Sequence, residues 1–116
     1  MKLASYTLVT FVRPDGFRPL APEEELRVRD AHLANMADLH SRGLLLAAGP
    51  SRGTDENVRG FAIMLCDAAT SEELWATNPS VLAGRFEARC APWVVPAEMI
   101  VAGPGLPPRS VAETMA

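Results

Sequence analysis

Apolar and polar positions alternate from Leu3 to Arg13, with Tyr6, Leu8, Thr10 and Val12 on one face and Thr7, Val9, Phe11 and Arg13 on the other. A period of two predicts a strand. Both of its faces are largely apolar, so both need cover. Pro14-Asp15-Gly16 is turn chemistry, and a loop runs on to Pro22. Pro22-Glu23-Glu24-Glu25 then opens a helix, with proline in the first turn and carboxylates at the positive end of the dipole. At about 100° per residue, Leu26, Leu33, Met36, Ala37 and Leu39 share one arc, the predicted buried face. His32 falls on its flank, with Arg29 and His40 nearer its centre.

Gly43 is a natural helix stop, and the apolar run Leu44 to Ala48, bounded by Gly49-Pro50, is too short for another helix and reads as a buried strand. Ser51 to Asn57 is a polar loop. Val58 to Cys66 alternates again, Arg59, Phe61, Ile63 and Leu65 against Gly60, Ala62, Met64 and Cys66. A second helix is predicted over Asp67 to Ala76, with Thr70 or Ser71 as N-cap and Glu73 near the capping-box position. Asn78-Pro79 starts a short helical turn that Gly84 ends, and Arg85 to Val95 is the last strand.

The order β-α-β-β-α-β predicts an α+β protein of ferredoxin-like fold, with a four-stranded antiparallel sheet and helices on one face. Two strands are apolar on both sides, so a second copy of the chain is expected over the open face. That homodimer would enclose a cavity between the sheet and its cover. Residues 1–100 form the domain. Residues 101–116 are a Gly/Pro-rich tail expected to fray or to lie across a neighbour as part of the dimer contact.

With 116 residues, 48% of them hydrophobic, the chain makes one globular domain. Its net charge of -3 offers no basic field for nucleic acid. Its one lysine, Lys2, sits at the terminus, which argues against Schiff-base chemistry. No run approaches the roughly 20 apolar residues that cross a bilayer, and the chain is read as cytoplasmic. Cys66 and Cys90 lack metal-type spacing and read as small buried hydrophobes. His32 and His40 lie about 12 Å of helical rise apart, too far for one metal ion held by these two side chains alone. No Gly-rich phosphate loop, CxxC, HExxH or GxSxG pattern occurs, so neither a metal nor an organic cofactor is expected.

Three segments taken together carry a resemblance: Ala31-His32-Leu33 with Leu39 and Gly43; Leu44 to Pro50; and Asn78-Pro79 with Ala83-Gly84 and the strand to Pro92-Trp93. In order and spacing the chain resembles the YCII-related (YciI-like) family of the dimeric α+β barrel superfamily, over about residues 4 to 100. The resemblance implies a catalytic dyad of a histidine, here His32, and an aspartate directly before the proline at Pro79. This chain has Asn78 at that place. An asparagine orients an imidazole but supplies no charge, so His32 is expected to stay neutral near pH 7 unless Asp30, Asp38, Asp67 or Glu87 approaches it.

The resemblance thus implies a small-molecule enzyme of isomerase or lyase type, without organic cofactor. His32 and Asn78 would be catalytic, and Arg29, Met36, Arg59 and Pro79 would surround the substrate. The alternative is a non-catalytic ligand-binding or accessory protein with a degenerate dyad. Plainer roles stand beside these: an Arg29–Glu25 ion pair, Asn78 as a helix cap, His40 against the helix dipole, and Trp75 and Trp93 as core or interface aromatics.

Overall fold

The computed structural model describes residues 1–115. β1 (Leu3–Val12) is an inner strand of a four-stranded antiparallel sheet, flanked by β3 (Val58–Met64) and β4 (Glu87–Pro96), with β2 (Leu45–Pro50) outside β3. The order β2-β3-β1-β4 is that of a ferredoxin-like fold. Helices α1 (Pro22–Ser41), α2 (Ala68–Ala76) and α3 (Pro79–Leu82) complete the βαββαβ unit, and a short α4 (Val111–Thr114) follows it.

The alternation along β1 divides the molecule as its sequence requires. Val9 and Phe11 join Ala62 and Met64 of β3 beneath Met36 and Leu39 of α1 and Trp75 of α2. Phe11 meets Trp75 edge-on, with ring centroids 4.7 Å apart. Each fully buried side chain of this size contributes about 1.5–3 kcal/mol, so this one layer accounts for most of the apolar stabilisation. The opposite face of the sheet stays open and carries Phe61, Leu65 and Trp93, all exposed in the single chain. Among the described residues no helix is long and apolar enough to cross a membrane.

Helix α1 ends where Gly43 takes φ 74°. The Gly43 and Leu44 amides donate to the carbonyls of His40 and Leu39, each at 3.0 Å, so a left-handed glycine satisfies the last turn. The same arrangement closes α3 at Gly84, where the Arg85 amide donates to the Ser80 carbonyl at 3.0 Å. That bond keeps Arg85 in the turn, and β4 begins at Glu87 rather than at Arg85. The cap of α2 also differs from expectation. Asp67, not Thr70 or Ser71, accepts the Thr70 amide at 2.7 Å, because β3 ends at Met64 and leaves Asp67 free to begin the helix.

One further expectation is corrected. Leu26 is 50% exposed although it shares the apolar arc with the buried Met36 and Leu39. The described end of the tail also makes contacts to its own chain. Asp30 of α1 accepts the Val111 amide at 2.7 Å, Ser110 caps α4, and an Arg109–Glu113 ion pair at 2.9 Å braces it.

At the outer border of the sheet, β4 pairs with β1 without interruption across Pro92, opposite Thr7, and Pro96, opposite Leu3. Proline has no N–H, so both rings must stand where the backbone nitrogen faces away from β1.

Candidate functional site

A cavity of about 750 Å³ opens between the first half of α1 and the end of the sheet. Phe11, Gly60 and Phe86 form its floor, and Arg29, His32, Leu33 and Met36 of α1 form one wall. The end of β2, Ala48-Gly49-Pro50, closes a second side, and Pro107, Pro108 and Thr114 of the tail a third. The cavity therefore lies on the helical side of the sheet. It is distinct from the space expected between the open sheet face and a covering copy, which lies on the other side of the sheet. Gly60 brings no side chain to the floor, and a Cβ there would stand 2.5 Å from the Gly49 carbonyl oxygen of β2.

His32 is half-buried on this wall, its ring edge-on to Phe86 at 5.4 Å. Its Nδ1 lies 3.2 Å from Asn78 Oδ1. Asn78 is fully buried as the N-cap of α3, where the same Oδ1 accepts the amides of Ser80 at 2.9 Å and Val81 at 3.4 Å. Its Nδ2 donates to Asn35 Oδ1 at 2.8 Å. An oxygen that accepts two backbone N–H groups can only accept from the imidazole too, so His32 carries its proton on Nδ1. Nε2 is left with a free lone pair.

Burial, the largest influence, lowers the His32 pKa from 6.5 to about 4; the Asn78 hydrogen bond opposes the shift, while Arg85 and Arg29 reinforce it. None of the four carboxylates considered as replacements for the missing aspartate is hydrogen-bonded to His32. Asp30 holds the tail, Asp38 pairs with Arg42 at 3.3 Å, and Asp67 caps α2, while Glu87 is exposed on β4. His32 is accordingly neutral at pH 7.

Of the residues singled out by sequence, His32, Arg29, Met36 and Arg59 line the cavity, and Asn78 stands directly behind His32. Pro79 does not reach it. As the first residue of α3, it serves the helix start that Asn78 caps. The expected Arg29–Glu25 pair is absent, because Glu25 turns to Arg85 at 3.9 Å.

Arg85 was not legible as a site residue. Its Nη1 donates to Ser80 Oγ at 2.7 Å, its guanidinium lies over Phe86 at 5.8 Å, and burial lowers its pKa, with Glu25 opposing. A charged residue between a helix-ending glycine and a core phenylalanine was the signal available. Arg13 and Arg52 also line the cavity, and Arg13 stacks over Phe17 at 4.5 Å. Trp75 is core, while Cys66 and Cys90 are free, half-buried and packed against that core.

Fold and site together define a small α+β protein with an imidazole–carboxamide pair set in an arginine-lined cavity. The chain belongs to the YCII-related family, whose domain profile matches residues 7–92. Protein YciI of Escherichia coli O6:H1 is 38% identical over 73 residues, which cover 56% of this chain and 74% of that protein. The protein of the same name from Shigella flexneri matches to the same extent. A crystal structure of a dimeric protein of ferredoxin-like fold from Bacteroides fragilis is similar with a TM-score of 0.43 and 14% identity, over 78% of this chain and 94% of that one.

Proposed function

We propose that the protein is a small-molecule enzyme working by general acid–base chemistry without an organic cofactor, of isomerase or lyase type. The observation that carries this reading is the fixed tautomer of His32, whose unprotonated Nε2 belongs to a residue on the cavity wall. A neutral imidazole takes a proton from a carbon or hydroxyl acid within hydrogen-bond reach, and such catalysis contributes about 10²- to 10⁴-fold. Asn78 is buried behind the ring and acts as a positioning residue. The guanidiniums of Arg29 and Arg85 stabilise the negative charge that proton removal leaves on the substrate.

The reading includes a cytoplasmic setting and a homodimer, in which a second copy covers Phe61, Leu65 and Trp93 on the open sheet face. The test is turnover of candidate small acids by the protein and by His32→Gln. Loss of at least about 100-fold in kcat with KM little changed is expected; unchanged kcat would refute the role of His32.

A second reading, a non-catalytic binding or accessory protein, is favoured by the lowered basicity of His32 beside an uncharged Asn78. Asn78→Asp separates the two. Turnover gained on restoring the carboxylate favours the enzyme, and altered binding without turnover favours the binder.

A further inference from the structure

The charge of the cavity is out of proportion to the charge of the chain. The protein has ten arginines and fourteen acidic residues, yet Arg13, Arg29, Arg52, Arg59 and Arg85 line this space and, among the described residues, Glu25 is its single carboxylate. These arginines come from the residue after β1, α1, the loop after β2, β3 and the turn before β4, so no single element imposes the clustering. Glu25 is occupied by Arg85. Among the described residues Arg13, Arg29, Arg52 and Arg59 have no carboxylate within ion-pair distance.

Like charges gathered over a low-dielectric floor repel one another, and repulsion of this kind persists where a ligand relieves it. Arg29 and Arg59 each disfavour the charged form of Arg85, which places the three within electrostatic reach. A second and independent mark is Arg13 Nε, a buried donor without a hydrogen-bond partner. Buried donors of this kind are costly unless something accepts from them. The remaining walls, Phe11, Phe17, Leu33, Met36 and Phe86, are apolar, and the volume suits a molecule of more than a few atoms.

We infer that the cavity takes a small organic dianion with an apolar body, its charged groups held by guanidinium forks and its body lying on Phe11 and Phe86. Planar guanidinium groups match carboxylate and phosphate oxygens in pairs, so either anionic group satisfies the chemistry. The inference deepens the enzyme reading by naming its substrate class, and rests on that reading for the step that follows binding. Under it, the anion occupies the arginines while Nε2 of His32 meets the adjacent acidic proton.

The experiment is a binding titration, by amide and arginine side-chain NMR, of the protein with phthalate, phenyl phosphate, benzoate and dimethyl phthalate. Phthalate or phenyl phosphate is expected to bind at least about tenfold more tightly than benzoate, with dimethyl phthalate weakest. The preferred dianion tells carboxylate from phosphate. Arg29 and Arg52 are exposed, so Arg29→Gln and Arg52→Gln preserve the fold, and each should weaken the dianion several-fold. Added salt should weaken it as well.

Equal binding of dimethyl phthalate, indifference to both substitutions, or no binding at millimolar dianion overturns the inference. The titration is repeated on His32→Gln, which separates the two proposals. Dianion binding retained there, with turnover also unchanged, removes the enzyme reading and leaves the ligand class standing. Turnover that depends on His32 but acts only on uncharged compounds does the reverse.

Discussion

Nδ1 of His32 and Oδ1 of Asn78, 46 positions apart in sequence, share a hydrogen bond at 3.2 Å, and the Asn78 oxygen that receives it is also the cap of α3. One atom thus fixes both the start of a helix and the tautomer of an imidazole. Replacing it has two separable consequences. Asn78→Asp keeps the cap and adds a charge, and Asn35 can rotate its amide to donate where it now accepts. The His32 pKa should rise from about 4 by roughly 1–3 units, read from the ring signals in a pH titration. Asn78→Ala removes cap and partner together and should cost about 2–3 kcal/mol in urea unfolding. A His32 pKa unmoved by the aspartate would mean that the ring turns away from it.

Stability should depend on pH through the same ring. His32 has a folded pKa near 4 against 6.5 in the unfolded chain, so between these values the unfolded state binds the extra proton. Stability contributed by the neutral ring is complete above pH 6.5 and declines as the pH falls toward 4, by about 3 kcal/mol in all. Unfolding of the protein and of His32→Gln, compared above pH 6.5 and near pH 4, isolates this share. The slope should flatten in the variant.

Gly60→Ala tests the floor of the cavity. Its Cβ would meet the Gly49 carbonyl oxygen at 2.5 Å and Pro50 Cα at 3.2 Å, both backbone atoms that cannot swing aside. The β2–β3 pairing must spread, at a cost of about 1–3 kcal/mol. Thermal unfolding should show that loss, and amide exchange should rise at Gly49 and Phe61. An unchanged Tm would place the two strands further apart than described.

The tail's anchor is equally specific. Asp30→Ala removes the carboxylate that accepts the Val111 amide, a charge-assisted bond contributing about 1.5–3 kcal/mol locally. Hydrogen exchange at Val111 should accelerate markedly while β1 amides keep their protection. Equal protection in both proteins would show that Arg109 and Glu113 hold α4 unaided.

Much of this fold was legible because its elements obey one period each. The alternation in Leu3 to Arg13 sorted Val9 and Phe11 from Tyr6 and Leu8, and Gly43 marked the end of α1 because only a left-handed residue fits there. The site was less legible, since a cavity is a property of what fails to pack. Leu26 belongs to the apolar arc by angle, yet it stays half exposed while Met36 and Leu39 are buried. Arg85 and Arg52 stand in no periodic pattern and acquire meaning only when five segments converge. The ion pair expected between Arg29 and Glu25 is sound helix chemistry, overridden by a tertiary partner. The tail's contact with α1 was not legible for another reason: its anchor, Asp30, lies 81 positions away.

The uninterrupted pairing of β4 across Pro92 and Pro96 bears on how the molecule meets others of its kind. A strand added at that border would need donors from every second residue, and at two of those places the ring nitrogen has none. Sheet growth from this side is thereby blocked at the level of covalent structure, independent of concentration or temperature. Self-association of the folded chain is steered away from that border, toward contacts between side chains, which can saturate at a fixed stoichiometry where an extending ladder of backbone bonds cannot.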